Sequence, residues 1–227
     1  DTQKVHISSA IASGYKYMLI VTSDEAKARK MCDDASFFNK EAIYYPAKDA
    51  IFYSADVHGN QITGERLRCI SRIINHSSTG EGVLTAVTTM DGIADRLIPV
   101  ERFKEAVITL DYSSEIEPEK LAKKLVAMGF VRTGMVEDKG QFAIRGGIID
   151  IFSYTDEAPV RIELWDTEVD SIRMFDVESQ RSIERLQSYS IFPATEYIFT
   201  EDELKNGLYN IKKECDRQLE CFDYGKR

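Results

Sequence analysis

The first part of the chain alternates apolar segments with amphipathic ones. Tyr17–Thr22 is a continuous apolar run, which is typical of a buried parallel strand, and Ser23 is placed to cap a helix that continues to about Phe38. The same pattern predicts a strand at Ala42–Tyr45, a helix at 64–75, a strand at 83–88 and a short helix at 90–97. Because strands and helices alternate, we expect an α/β domain that has a parallel sheet with helices on its faces.

From residue 105 onward the pattern changes to one helix among short strands. A strand at 105–112 precedes a helix that begins at Pro118 and ends before Gly129. Further strands are predicted at 130–136, Gln141–Arg145, Ile148–Phe152, Val160–Trp165, 169–175 and 189–192. This order indicates a separate α+β domain with an antiparallel sheet. Residues 201–222 read as a helix with no partner of its own, so we expect a piece of a longer protein.

Alternation within two of these strands directs an unusual set of side chains to one face of the second sheet. In Val160–Trp165, the apolar Val160, Ile162 and Leu164 alternate with Arg161, Glu163 and Trp165. In Gln141–Arg145, Phe142 and Ile144 would face the core, whereas Gln141, Ala143 and Arg145 would face outward. Two arginines and the only tryptophan then share a face, which is typical of a protein-binding hot spot. The alternative is a solvated strand surface with weakly interacting charges.

Composition limits the classes of function. The 227 residues are 43% hydrophobic and 30% charged, which is enough for a full core in one to three modules. A formal net charge of -9 argues against a general surface for duplex DNA, because phosphate contacts need local positive charge. No membrane-spanning run or signal-peptide layout occurs, so we expect a cytoplasmic protein without a membrane partner. The four cysteines lack zinc-like spacing and are expected to be reduced thiols.

No catalytic motif can be recognised in the sequence. The 13 glycines form neither a GxxxxGK loop followed by Ser or Thr nor a GxGxxG loop. Asp24 and Glu25 follow a strand, as the magnesium-binding acids of nucleotidases do, but a helix dipole also favours negative charge at that position. HExxH, GxSxG and paired Cys and His arrangements do not occur either. We therefore expect no catalytic, cofactor-binding or metal site in this chain.

Three segments of the second module resemble the bacterial transcription-repair coupling factor (Mfd) family. They are RGGIIDIF at 145–152, VRIELWD at 160–166 and FDVESQRS at 175–182, and in looser form they are similar to the excision-repair protein UvrB. Segments of the first module, at 3–6, Tyr17–Thr22, 45–49 and 52–56, resemble the same family. The resemblance therefore covers nearly the whole chain.

The resemblance implies a fold and a division into domains. Residues 1–106 would form domain 1a, a degenerate helicase-like α/β domain, and residues 107–193 would form the inserted α+β domain 2. Residues 194–227 would begin domain 1b and be helical. UvrB carries a phosphate loop at the start of its first domain. At the corresponding place this chain has Gln3 and Lys4 followed by Val5 and His6, not by the Ser or Thr that a working loop requires.

The resemblance also implies a function and a site. Domain 2 of this family binds UvrA, and the binding residues of the family fall on Arg145, Arg161 and Trp165, where the family usually has Phe in place of Trp165. The chain would then be a non-catalytic module, without a cofactor, that brings UvrA to RNA polymerase stalled at DNA damage. In the parent protein, an ATP- and Mg-dependent translocase, other domains would contact RNA polymerase and DNA, and the C-terminal domain would mask this face.

Two other functions remain open from the sequence. One is a UvrB-type damage-recognition subunit that binds nucleotide and DNA, which a phosphate loop just upstream of Asp1 would favour. The other is a residual nucleotide-binding enzyme, which ATP binding by the isolated chain would support. The missing phosphate loop and the acidic net charge argue against both.

Overall fold

A computed structural model of the protein describes residues 2–39, 41–48, 56–80 and 82–224; within these ranges, the side chains of residues 56–60, 79, 201 and 220–224 are left out. The chain forms the following elements in order: α1 (Thr2–Ala12), β1 (Tyr17–Thr22), α2 (Glu25–Phe38), β2 (Ala42–Tyr45), α3 (Asp56–Thr79), β3 (Leu84–Thr89), α4 (Met90–Ala94), α5 (Val100–Ala106), β4 (Ile108–Asp111), α6 (Pro118–Ala127), β5 (Val131–Arg132), β6 (Gln141–Arg145), β7 (Ile148–Phe152), β8 (Val160–Trp165), β9 (Glu168–Phe175), β10 (Ser182–Arg185), β11 (Ser188–Ile191) and α7 (Glu201–Tyr224). No described helix is long and apolar enough to cross a membrane.

The first module contains the parallel sheet that the alternation of elements predicts. Its three strands lie in the order β1-β3-β2, and both pairings are parallel. Helix α1 was not predicted from the sequence. It packs on α2 through Val5, which is fully buried in a cluster with Ala28, Ala35 and Val87. Asp49 to Ala55, which include part of the motif resemblance, lie outside the described residues.

The cap of α2 differs from the prediction. Asp24, not Ser23, is the N-cap, and its carboxylate accepts a hydrogen bond of 2.9 Å from the backbone N–H of Lys27. This bond lowers the pKa of Asp24, and the Ser23 hydroxyl adds a second hydrogen bond of 2.9 Å. The Asp24 carboxylate therefore caps a backbone N–H in the first turn of α2, which is the structural explanation that the sequence favoured for this acid.

The second module is built on a six-stranded sheet with the order β10-β9-β8-β7-β6-β5. All neighbours are antiparallel except β5 and β6, which pair in parallel. Helix α6 covers the inner face, where Leu125, Phe142, Ile149 and Ile162 are fully buried in one cluster. Strands β4 and β11 form a separate antiparallel pair next to this core. The antiparallel α+β module is thus confirmed.

Several predicted boundaries in the second half were wrong. The predicted strand 105–112 is shorter, because residues 100–106 form helix α5, which buries Phe103. The predicted strand 130–136 pairs with β6 only at Val131 and Arg132, and the chain then turns at Gly134. Strand β10 was missed because all four of its residues are exposed and leave no period-two burial pattern.

A buried arginine joins the first module to the segment that follows β11. Arg66, on α3, has a fully buried side chain and donates to both carboxylate oxygens of Glu196, at 2.6 and 2.9 Å. It also donates to the backbone carbonyl of Pro46 at 2.7 Å. The guanidinium carbon lies 4.2 Å from the centre of the Tyr45 ring. One side chain therefore connects the end of β2, α3 and the chain after β11.

The described cysteine side chains carry free thiols, as predicted for Cys32, Cys69 and Cys215; the side chain of Cys221 is not described. Burial raises the pKa of Cys32 and raises that of Cys69 to about 12, so both are held as neutral thiols at neutral pH.

The chain divides into two compact units, residues 1–196 and 197–227. In the second unit, Thr200 and Glu203 exchange the two hydrogen bonds of a capping box at the start of α7.

Candidate functional site: a protein-binding sheet face

The strand register brings the predicted binding residues to one surface. We call it the outer face, the side of the six-stranded sheet turned away from α6. One row across it contains Ala143, Asp150, Arg161 and Arg173. The next row contains Arg145, Ile148, Glu163 and Ser171. Trp165 lies two residues beyond Glu163 on the same strand and pairs with Glu168. The outward direction of Arg145, Arg161 and Trp165 is thus as predicted.

A tight turn places Arg145 at the edge of this face. Arg145 is the last residue of β6, and Gly146 and Gly147 connect it directly to β7. Gly146 has φ +59°, a conformation that glycine adopts without steric cost. A Cβ on Gly147 would lie 2.9 Å from the backbone oxygen of Leu164. Gly146 therefore allows the tight turn of the hairpin, and Gly147 allows the chain to pass close to the backbone of Leu164.

Trp165 is the most exposed part of the face. It is the last residue of β8 and is 80% exposed. Asp166, in the turn that follows, has φ +58°. This turn lies at the same end of the sheet as the turn after Arg145. With strands about 4.8 Å apart and about 3.3 Å per residue, the backbones at Arg145 and Trp165 are roughly 12 Å apart. Long side chains from both positions can reach a single partner surface.

Arg161 and Asp150 form the centre of the face. Asp150 is 1% exposed, and Arg161 donates to both of its carboxylate oxygens, from Nε at 2.6 Å and from Nη2 at 2.9 Å. The Arg161 side chain is 13% exposed, and its guanidinium carbon lies 4.3 Å from the centre of the Phe175 ring. The hydrogen bonds that Arg161 donates to Asp150 raise the pKa of Arg161. Arg161 is therefore largely engaged within the domain.

Arg145 has a different environment. It makes one hydrogen bond, from Nη2 to Oδ2 of the same Asp150 at 2.7 Å, and its side chain is 45% exposed. A guanidinium has three further N–H hydrogens, one on Nε and two on Nη1, and this bond uses none of them. Arg145 can therefore donate to a partner while it stays bound to Asp150.

The loop 176–181 completes the support of Arg161. Asp176 accepts from the backbone N–H of Ser179 at 2.8 Å and from its hydroxyl at 2.6 Å, which closes a tight turn and lowers the pKa of Asp176. Gln180 then adopts φ +57°, and its side-chain oxygen accepts from Arg161 Nη2 at 2.8 Å. The FDVESQRS motif thus has a structural explanation in the orientation of Arg161.

The rest of the outer face is partly covered and partly paired. Ala143 faces outward as predicted, but it is buried in a small apolar cluster with Val136 and Phe152 rather than solvated. Glu163 accepts from Ser171 at 2.8 Å and pairs with Arg173. The face is therefore closed at the Ala143 end and open at the Trp165 end, where a partner has access.

Two supporting residues were missed in the sequence. Asp150 and Gln180 were not selected, although both lie within the matched motifs. For Asp150 the signal was present, because Ile149 and Ile151 point inward and alternation then directs the carboxylate outward. For Gln180 no pattern exists, since its orientation depends on a left-handed backbone conformation in a loop.

Comparison with known proteins agrees with the motif resemblance. Residues 108–197 match the family model described as the UvrB interaction domain. The chain is also 38% identical over 213 residues to the transcription-repair-coupling factor of Bacillus subtilis, and the aligned residues make up 93% of the chain. It is 33% identical over 222 residues to that of Staphylococcus aureus (strain Mu50) and 36% over 199 residues to that of Staphylococcus haemolyticus.

The chain spans about 18% of the length of the first two relatives. These matches confirm that the chain is related, over nearly all of its residues, to one segment of the transcription-repair coupling factors.

Proposed function

We propose that this chain is the UvrA-recruiting module of a transcription-repair coupling factor and that it binds UvrA through the outer face. The proposal is supported by the UvrB interaction domain match at 108–197, which contains the whole outer face. The observation that carries it is the joint exposure of Trp165 and Arg145 at one end of that face. A nearly fully exposed tryptophan has a large apolar surface that a protein partner can bury.

The chemistry of the face defines what each residue would do. Trp165 would be the anchor that loses its contact with water, and Arg145 would donate charge-assisted hydrogen bonds to carboxylates or carbonyls of UvrA. Arg161 belongs to the same site, but its bonds to Asp150 and Gln180 limit what it can offer to a partner. Among the ion pairs of the face, Arg145 and Arg161 share the single carboxylate of Asp150, whereas Arg173 pairs with Glu163.

The remaining parts of the function belong to the parent protein. We infer that the chain itself is non-catalytic and acts in the bacterial cytoplasm, during transcription-coupled nucleotide excision repair. ATP, Mg, DNA and RNA polymerase would be bound by other domains of the parent, a DNA translocase. The C-terminal domain of the parent would cover the outer face until UvrA is needed, because an exposed tryptophan on a sheet face is prone to unwanted contacts.

The test is calorimetric titration of this chain with UvrA. The wild-type chain should bind, and an Arg145→Ala, Arg161→Ala, Trp165→Ala triple variant should not, since truncation at hot spots costs about 2 kcal/mol or more each. The matched control is an Arg132→Ala, Phe37→Ala double variant. It removes an arginine and a phenylalanine that are comparably exposed but lie away from the outer face.

The outcomes separate this function from its rivals. Loss of binding in the triple variant alone, with both variants folded by circular dichroism, supports the proposal. Equal affinities for the wild-type chain and the triple variant would move the UvrA site elsewhere. No binding by the folded wild-type chain would reject the function. Titrations with ATP and with damaged DNA would then examine the UvrB-type alternative.

A further inference from the structure

A buried carboxylate lies beneath the two arginines of the outer face. Asp150 is 1% exposed, yet it receives three hydrogen bonds, two from Arg161 and one from Arg145. A carboxylate at that depth cannot itself touch a protein partner. Two guanidinium groups offset the cost of removing this carboxylate from water. Its influence on binding must therefore pass through the arginines.

Arg161 fixes the position of this carboxylate. The bidentate contact from Nε and Nη2 defines the plane of the Asp150 carboxylate, as is usual for an arginine fork. Gln180 and the Phe175 ring hold the Arg161 guanidinium in turn, by a hydrogen bond of 2.8 Å and a ring contact of 4.3 Å. The Oδ2 atom of Asp150 is thus held in place for a second donor.

That second donor is Arg145. Its Nη2 binds Oδ2 of Asp150 at 2.7 Å, while nearly half of its side chain remains exposed. An unrestrained arginine loses rotamer entropy when a partner binds it, and prior fixation of the guanidinium reduces that loss. A fixed guanidinium at the open end of the outer face, next to the exposed Trp165, is preorganised for a partner.

We propose that Asp150 is a positioning residue, which holds the Arg145 guanidinium in the orientation that UvrA recognises. The inference rests on the proposed function, since it assigns a role within the same interface. Arg161 and Gln180 support it by fixing the carboxylate. Asp150→Asn retains the shape of the side chain and one acceptor oxygen, but it replaces an oxygen to which arginine donates with an amide NH2. Urea unfolding of the variant therefore accompanies the binding measurement and separates a loss of stability from a loss of affinity.

A double-mutant cycle measures this role. The affinity for UvrA is determined by calorimetry for the wild-type chain, Asp150→Asn, Arg145→Ala and the double variant. If Asp150 acts through Arg145, its substitution weakens binding about tenfold in the wild-type background and less than about threefold in the Arg145→Ala background. An equal loss in both backgrounds would overturn the proposal, because the effect of Asp150 would then be independent of Arg145.

Two further variants keep the test clear of folding defects. Gln180→Ala removes the outer support of Arg161, together with the hydrogen bond from Gln180 Nε2 to the backbone carbonyl of Val177, and should weaken binding by about twofold to fivefold. Glu119→Gln is the matched control, because Glu119 is a carboxylate on α6 that pairs with an arginine, Arg132, away from the outer face, and it should change affinity less than twofold. A loss from Glu119→Gln as large as that from Asp150→Asn would contradict the special role of Asp150.

A conservative substitution distinguishes position from charge. Arg145→Lys retains the positive charge but lacks the planar fork that can bind Asp150 and a partner together. If Asp150 orients Arg145, Arg145→Lys should lose nearly as much affinity for UvrA as Arg145→Ala. Wild-type affinity of the lysine variant would overturn the proposal. The failures remain distinguishable: no binding by the wild-type chain rejects the proposed function and this role together. Binding with independent losses rejects the positioning role alone.

Discussion

Two arginine clusters in this protein have nearly the same local geometry and different surroundings. Arg66 and Arg161 each bind one carboxylate through Nε and Nη2, at 2.6 and 2.9 Å in both cases. Each also stacks on an aromatic ring, Tyr45 at 4.2 Å or Phe175 at 4.3 Å. The bidentate contact alone therefore cannot tell a structural arginine from one in an interface.

Burial and charge balance separate the two clusters. The Arg66 side chain is fully buried, and Glu196, Asp95 and Lys48 surround it, so two cations meet two carboxylates. At Asp150 two arginines share one carboxylate, and Arg145 is exposed. The first cluster is closed and neutral, which suits a connection between elements. The second is open and has positive charge in excess, which suits a partner with carboxylate or carbonyl groups.

The largest expected effect is on folding. Arg66→Ala should lower the free energy of unfolding by about 3 to 5 kcal/mol, because it removes the bidentate partner of the buried Glu196, which keeps the longer contact to Lys48 at 3.3 Å. Urea unfolding followed by circular dichroism measures this loss. At temperatures where the variant is folded, its affinity for UvrA should equal that of the wild type. A stability within about 1 kcal/mol of wild type would show that the cluster does not hold these elements together.

The second largest effect is expected on the affinity for UvrA, with the free energy of unfolding nearly unchanged. Trp165→Ala should weaken UvrA binding by about 2 kcal/mol or more, roughly a 30-fold change, since the ring is the exposed anchor of the face. Its free energy of unfolding should change by less than about 0.5 kcal/mol, because the side chain packs little against the domain. Phe37→Ala, on α2, is the exposed aromatic control and should change neither quantity. Equal effects on affinity from both substitutions would argue against a specific site.

A third carboxylate, Asp156, makes the stability of the chain depend on pH. Asp156 is held by hydroxyl groups, with Tyr189 donating at 2.5 Å and Thr155 at 3.1 Å, rather than by a guanidinium. Burial raises its pKa above the ordinary value of 3.8. In the folded chain it therefore keeps its proton to higher pH than in the unfolded chain. The stability it contributes is present below pH 3.8 and is lost as pH rises through the raised pKa.

Asp156→Asn should remove this pH-dependent loss, because the amide oxygen still accepts from Tyr189 and carries no charge. The unfolding free energy of the variant relative to wild type should therefore rise as pH increases from about 4 to 8. Chemical unfolding at a series of pH values measures the difference. A relative stability that is constant with pH would show that Asp156 is not the titrating group.

The smallest effect is expected for an ion pair at the surface. Arg132 donates to Glu119 at 3.1 Å, and both side chains are largely exposed. Arg132→Ala should lower the free energy of unfolding by less than about 1 kcal/mol, because water competes with the pair and salt screens it. Urea unfolding at two salt concentrations measures this. A loss comparable to that of Arg66→Ala would mean that burial is not what separates these arginines.

The sequence predicted most of the architecture and the direction of the candidate binding residues. Period-two alternation was sufficient for β8, since Val160 and Ile162 are buried while Trp165 is exposed. Alternation of strands and helices was sufficient for the parallel sheet. Both signals are local, so they are readable from neighbouring residues.

Features that depend on contacts between distant residues were not predictable. The link from Arg66 to Glu196 spans 130 residues, and nothing near either position indicates its partner. The bond from Arg161 to Gln180 depends on a left-handed loop residue. The face could therefore be located from the sequence, whereas the support of its arginines required three-dimensional structure.

The most direct measurement uses the fact that Trp165 is the only tryptophan of the chain. Incorporation of 5-fluorotryptophan gives a single fluorine NMR signal, which reports the exposed ring of Trp165 before and after UvrA is added. If UvrA binds at the outer face, the signal should shift or broaden and lose its solvent isotope effect, because UvrA would remove the ring from water. A signal that keeps its position and its solvent isotope effect, while calorimetry detects bound UvrA, would contradict the outer face as the binding site.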